Sequence, residues 1–206
     1  MTERLFLVRH GEVEGWRPGM LLGSTDAHLS ERGRHQAALI EDVFPDEAGV
    51  RFVRSPLARA RQTAAIATAG RGAPVETDVD LREIDFGEWE GLTYEEVEKG
   101  YPLLAREWSD LSPGFGFPRG EKLEDFLTRV ERAADSLAGG DAPTVFAFSH
   151  GGVIRALICY FLGLPFRDYL LFDVAPGSVT TLRLWEGRGV LTGLWTPEGL
   201  SGREQG

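Results

Sequence analysis

Two histidines and a few arginines stand where apolar runs give way to glycine, and that combination suits chemistry at phosphorus. In Arg4-Leu5-Phe6-Leu7-Val8-Arg9-His10-Gly11-Glu12 a strand-like run ends on Arg9, His10 and Gly11. Arg9 offers a forked set of N–H donors to phosphate oxygens, and His10 a ring nitrogen able to attack phosphorus. Gly11 lets the backbone approach a ligand. Taken alone, the tripeptide reads more plainly as a strand-end arginine beside a solvated histidine. A second run, Thr144-Val145-Phe146-Ala147-Phe148-Ser149-His150-Gly151-Gly152, repeats the arrangement. The N–H groups opening the helix after it favour an anion, and His150 can donate to one; a tight strand-to-helix turn is the plain alternative. A third segment, 51–64, feeds a strand into a helix whose first turns carry Arg59. Arg54 and Arg61 compete for the same role, and all three also read as solvated surface arginines. The fourth segment, 81–91, is rich in carboxylates. A departing alkoxide needs a proton, which a partly desolvated carboxyl group can supply. Composition alone does not choose among Glu83, Asp85, Glu88 and Glu90, and it leaves open a merely solvated acidic loop.

These groups must be positioned by the surrounding elements. Short β-rich runs alternate with helical stretches, which predicts an α/β domain with a mostly parallel central sheet flanked by helices in three layers. Strands are expected at 4–8, 50–54, 75–79 and 144–148, and a closing hairpin at 179–185 and 190–195 around Glu186-Gly187-Arg188-Gly189. Helices are expected at 30–44 with Ser30 as N-cap, from Pro56 as first helical residue to 69, at 121–137, and at 153–162 ended by Gly163. Parallel strands put His10 and His150 on one sheet edge, the edge where open α/β sheets bind ligands. The chain reads as a single domain over 1–206, with a small cap insertion at about 91–121 and a flexible tail at 199–206.

Composition narrows the classes of partner. The 206 residues carry a net charge of −10, which disfavours nucleic acid because such a partner needs a basic face. A small phosphorylated metabolite is compatible, since a few converging arginines reverse the potential locally. The single cysteine, Cys159, excludes an internal disulfide and sits in an apolar run as a buried structural thiol. No apolar run reaches the roughly 18–20 residues that span a bilayer, and no export signal is visible, so a cytoplasmic setting without membrane partner is expected. Neither metal nor cofactor is expected: His10, His28, His35 and His150 form no close ligand pair. Residues 116–122 carry glycines and Lys122 but not the spacing of a nucleotide phosphate loop. On oligomeric state the sequence is nearly silent, with a homodimer left open.

Four motifs in order carry a resemblance over nearly the whole chain: Arg9-His10-Gly11; Ser55-Pro56-Leu57-x-Arg59-Ala60-x-Gln62-Thr63-Ala64; Leu81-Arg82-Glu83-x-x-Phe86-Gly87-x-Trp89-Glu90-Gly91; and Ser149-His150-Gly151-Gly152. Gly23-x-x-Asp26-x-x-Leu29-Ser30-x-x-Gly33 and Pro118-x-Gly120-Glu121 agree. The chain resembles the phosphoglycerate mutase-like branch of the histidine phosphatase superfamily, and in pattern looks most like α-ribazole phosphatases and broad-specificity phosphatases. The resemblance implies a nucleophile at His10, phosphate binding by Arg9, Arg59 and His150, and a proton donor at Glu83. Gly11, Gly23 and Gly151 are expected against the substrate.

Departures from the mutase pattern favour hydrolysis. Trp16 replaces an Asn, Leu22 a small hydroxyl residue, Phe86 a Tyr and Tyr94 a Lys, and only Arg106 and Arg119 stand where mutases carry paired arginines. The mechanism this implies has two steps. His10 attacks phosphorus while Glu83 protonates the leaving oxygen; Glu83 then activates water against the phosphohistidine, with Arg9, Arg59 and a protonated His150 holding the oxygens. A mutase-type phosphoryl transferase is the runner-up, and a non-catalytic phospho-ligand binder the third reading. If aromatics of the insertion line the pocket, a flat or apolar leaving group suits it better than glycerate.

Overall fold

The computed structural model describes residues 1–45 and 49–197, so the expected tail at 199–206 lies outside the described residues. A six-stranded sheet has the order β3-β2-β4-β1-β5-β6. Strands β1 (Arg4–Arg9), β2 (Val50–Arg54), β3 (Val75–Thr77) and β4 (Thr144–Ser149) run parallel, while β5 (Val179–Trp185) and β6 (Arg188–Trp195) close the sheet antiparallel. The mostly parallel sheet therefore holds, with an antiparallel edge.

The two central parallel strands, β1 and β4, read as near-continuous apolar runs because both faces are covered. On one face Phe6 stacks on Phe146 at 4.2 Å between ring centroids, with Phe44, Phe52 and Phe148 around them, beneath α1 (Glu31–Leu39) and α2 (Ala58–Ala67). On the other, α5 (Leu123–Ala138) and α6 (Gly151–Leu162) cover Leu5, Leu7, Val145 and Ala147. Cys159 is buried in α6, and burial pushes its thiol up to about 11.

Several boundaries differ from expectation for local reasons. Ser30 does cap α1, accepting from Gly33 N–H, but the helix tightens to a 3₁₀ turn at Ile40–Val43. Pro56 is not the first residue of α2. The helix opens at Ala58, whose N–H donates to Asp26 Oδ1 at 2.6 Å, a cap supplied from 32 residues away in sequence. Glu121 is outside α5, where its carboxylate receives Arg129. The hairpin turn is a two-residue Glu186-Gly187 with φ of 47° and 76°, so β6 starts at Arg188. The expected insertion at about 91–121 contains two short helices, α3 (Tyr94–Gly100) and α4 (Pro102–Ser109); the first opens on a Thr93/Glu96 capping box.

Candidate active site

Register decides what meets at the carboxyl edge. Arg9 pairs with Ser149 across β1 and β4, so His10 and His150 leave adjacent strands together, with ring centroids 5.2 Å apart. A cleft of about 390 Å³ opens there, and its polar end is formed by Arg9, His10, Glu83, Gly151, Gly152 and Arg155.

His10 is buried, and its Nδ1 lies 2.7 Å from the Gly11 carbonyl oxygen. A carbonyl accepts only, so Nδ1 carries the proton and Nε2 keeps its lone pair. Burial, then the charges of Arg59 and Arg9, hold this imidazole well below the ordinary histidine value, so it is neutral. Beside it, burial and the like charge of Arg155 push Arg9 down to about 10, against the opposing effect of Glu83. The two guanidinium groups flank Gly151: a Cβ there would stand 3.2 Å from Arg155 Nη1 and 3.4 Å from Arg9 Cζ. Among the described residues, the buried Nε of Arg9 has no hydrogen-bond partner. Two cations crowded at one point, one with an unsatisfied buried donor, make a ready anion site.

Arg59 and His150 lie deeper, both fully buried. Arg59 Nε–H donates to His150 Nδ1 at 3.1 Å, while its other nitrogens donate to the carbonyls of Leu22, Gly23 and Thr25. His150 therefore carries its proton on Nε2, which donates to Ser55 Oγ at 2.7 Å. The expectation of a protonated His150 is corrected: burial and the Arg59 charge push it well below the ordinary histidine value, and Nδ1 is already occupied as an acceptor.

The carboxylate left open by composition is separated from its neighbours by geometry. Glu83 accepts from Ile84 N–H at 3.1 Å and Gly152 N–H at 2.9 Å beside the cleft. Glu90 instead holds a loop, accepting from the amides of Gly23, Ser24 and Phe86. Asp85 accepts from Gly87 N–H and Ser24 Oγ, and Glu88 is exposed. The glycines expected against the substrate divide. Gly151 lines the cleft. Gly23 gives its N–H to Glu90 and its carbonyl to Arg59, and Gly11 gives its N–H to Thr63 Oγ1. Both frame the site, because a Cβ would collide with the Ile84 and Gly33 carbonyls at 1.9 and 2.3 Å.

Sequence reasoning missed Gly152, Arg155, Ser55 and Arg129. Gly152 and Arg155 had a signal, in the doubled glycine and the four-residue spacing from Gly151 to Arg155 on a helix. Arg129 had none. It is buried in mid-helix and donates to the carbonyls of Asp80, Arg82 and Glu83 while pairing with Glu121, which fixes the Glu83 loop.

The family is decided by a match to the model of the histidine phosphatase superfamily (branch 1) over residues 5–196. The chain belongs to that superfamily. This histidine phosphatase is 33% identical to the adenosylcobalamin/alpha-ribazole phosphatase of Salmonella typhimurium over 206 residues, covering 95% of this chain and 100% of that one. It is 34% identical over 176 residues to the glucosyl-3-phosphoglycerate phosphatase of Mycolicibacterium vanbaalenii, covering 82% and 78%. The alpha-ribazole phosphatase structure from Shigella flexneri superposes with a TM-score of 0.81 at 27% identity, covering 92% and 94%. Among the described residues, no group of three or more His, Cys, Asp or Glu side chains could hold a metal ion, and no helix is long and apolar enough to cross a membrane.

Proposed function

We propose that this histidine phosphatase hydrolyses phosphomonoesters of small metabolites through a phosphohistidine, without a metal. The observation that carries the reading is the His10–Gly11 hydrogen bond, which leaves the lone pair on Nε2 of a histidine lining the cleft where Arg9, Arg155 and Glu83 converge. Nε2 attacks phosphorus and the P–O bond to the leaving group breaks. Glu83, entering as the acid, gives its proton to the departing oxygen. Arg9 and Arg155 hold the equatorial oxygens, where transition-state charge is spread, and Arg59 acts with His150 from behind. In the second half Glu83, now a carboxylate, takes a proton from water as its oxygen attacks phosphorus, and the P–N bond breaks. His10 returns neutral and inorganic phosphate leaves. The single buried thiol suits a cytoplasmic setting.

A mutase needs extra cations to hold a small acid. Arg106 instead faces Asp110 in an exposed i,i+4 pair at 3.6 Å, and Arg119 is exposed. The test is phosphate release from a panel of phosphomonoesters in excess chelator, alongside interconversion of 2- and 3-phosphoglycerate with bisphosphate primer. Release without interconversion is expected. Turnover that vanishes in chelator and returns with Mg²⁺ or Zn²⁺, or efficient primer-dependent interconversion, defeats the proposal.

A further inference from the structure

The cleft is much larger than its polar end. Beyond the guanidinium groups its wall is almost entirely apolar: Trp16, Leu22, Phe86, Trp108, Tyr169 and Leu170. These come from separate parts of the chain. Trp16 and Leu22 stand on the loop after β1, which is tied to the insertion by the Met20–Thr93 bridge and by Leu21 N–H donating to the Leu92 carbonyl. Phe86 and Trp108 meet edge to face at 6.2 Å, and Trp108 in turn packs on the buried Trp89 and on Phe117, so the inner wall is rigid. Tyr169 and Leu170 sit on a 3₁₀ segment, Phe166–Leu171, that follows α6.

Two of these residues are exposed although they are large and apolar. Trp16 is 37% and Leu170 72% accessible, both at the mouth of the cleft. Large apolar side chains exposed around a concave site mark surface that a ligand covers. Arg155, the remaining cation of the cleft, lies against Arg9 at Gly151 and donates its Nε–H to the Phe172 carbonyl, so its charge belongs to the phosphoryl end. A second anion on the leaving group would have to sit among rings. Aromatic walls favour flat partners, which they meet face-on or edge-on with a gain beyond area burial alone.

We propose that the leaving group of the natural substrate is a flat, ring-bearing alcohol lodged between Trp16 and Leu170 over the Phe86–Trp108 floor. The proposal rests on the hydrolase reading for the words leaving group, but the slot is testable by binding alone. Non-hydrolysable methylphosphonate, cyclohexylmethylphosphonate and 1-naphthylmethylphosphonate share one anionic head, so calorimetric titration isolates the slot. The full chain should bind the naphthyl compound at least about tenfold tighter than methylphosphonate, with the cyclohexyl compound between. Trp16→Ala and Leu170→Ser, both at exposed positions, should each shrink the naphthyl-to-methyl ratio, Trp16→Ala by about fivefold or more. A ratio near one in the wild type, or a ratio unchanged in both variants, overturns the slot. Phosphate release from methyl phosphate and 1-naphthylmethyl phosphate is measured in parallel. These leaving alcohols are both primary, so a difference between them reports the slot rather than leaving-group acidity. If neither ester is hydrolysed while the phosphonates show the preference, the hydrolase reading fails and the slot stands.

Discussion

Glu83 and Gly152 form a matched pair: the Gly152 N–H donates to Glu83 Oε2 at 2.9 Å, and a Cβ on Gly152 would stand 2.6 Å from Glu83 Oε1. The first turn of α6 thus both anchors the carboxylate and leaves it just enough room. Gly152→Ala should keep the fold, since alanine suits a helix, yet push the carboxylate off its position. Turnover of an alkyl phosphate should fall by about 100-fold, the usual scale for a misplacement near 1 Å. Steady-state kinetics beside a thermal melt check this, and wild-type turnover in the variant would show that the placement of Glu83 does not matter.

The double role proposed for Glu83 separates it from the nucleophile. With p-nitrophenyl phosphate the leaving group needs little protonation, so Glu83→Gln should slow phosphorylation of His10 modestly while removing the base of the second step. A rapid-quench burst of p-nitrophenol should appear, with acid-labile, base-stable phosphate accumulating on the protein. Alkyl phosphates should slow by about 10²- to 10⁴-fold. His10→Ala should show neither burst nor turnover. Retained turnover of both ester types by Glu83→Gln would pass the role to Asp85, Glu88 or Glu12.

The two buried histidines should make stability fall with acid. Both imidazoles are held well below their ordinary value in the folded chain, by burial first and then by Arg59. The unfolded chain therefore binds more protons at and below pH about 6.5, and each histidine subtracts about 1.4 kcal/mol per pH unit from there down to its folded value. Above that window the contribution is constant. Denaturant unfolding at several pH values between 7.5 and 5 should give a shallower acid slope for His10→Gln and for His150→Asn than for the wild type. Parallel slopes would mean that these imidazoles already titrate normally in the folded protein.

What was legible in the sequence was local. Apolar runs ending at Arg9 and Ser149 marked buried strands, and Ser30 and Gly163 marked a helix start and a helix end, because period and capping are written in adjacent residues. The motif residues His10, Arg9, Glu83 and Gly151 could be named on resemblance, and all four line one cleft. Contacts between distant segments could not be read. The start of α2 depends on Asp26 reaching Ala58, the Glu83 loop on Arg129 in another helix, and the charge state of His150 on Arg59 and on burial. The sorting of large apolar side chains was equally tertiary: Trp89, Phe115 and Phe117 went to the core, while Trp16 and Leu170 went to the mouth of the cleft. Residue type records that a side chain is apolar or ionisable, but burial, tautomer and the direction in which it faces arise only when separate segments pack and exclude water.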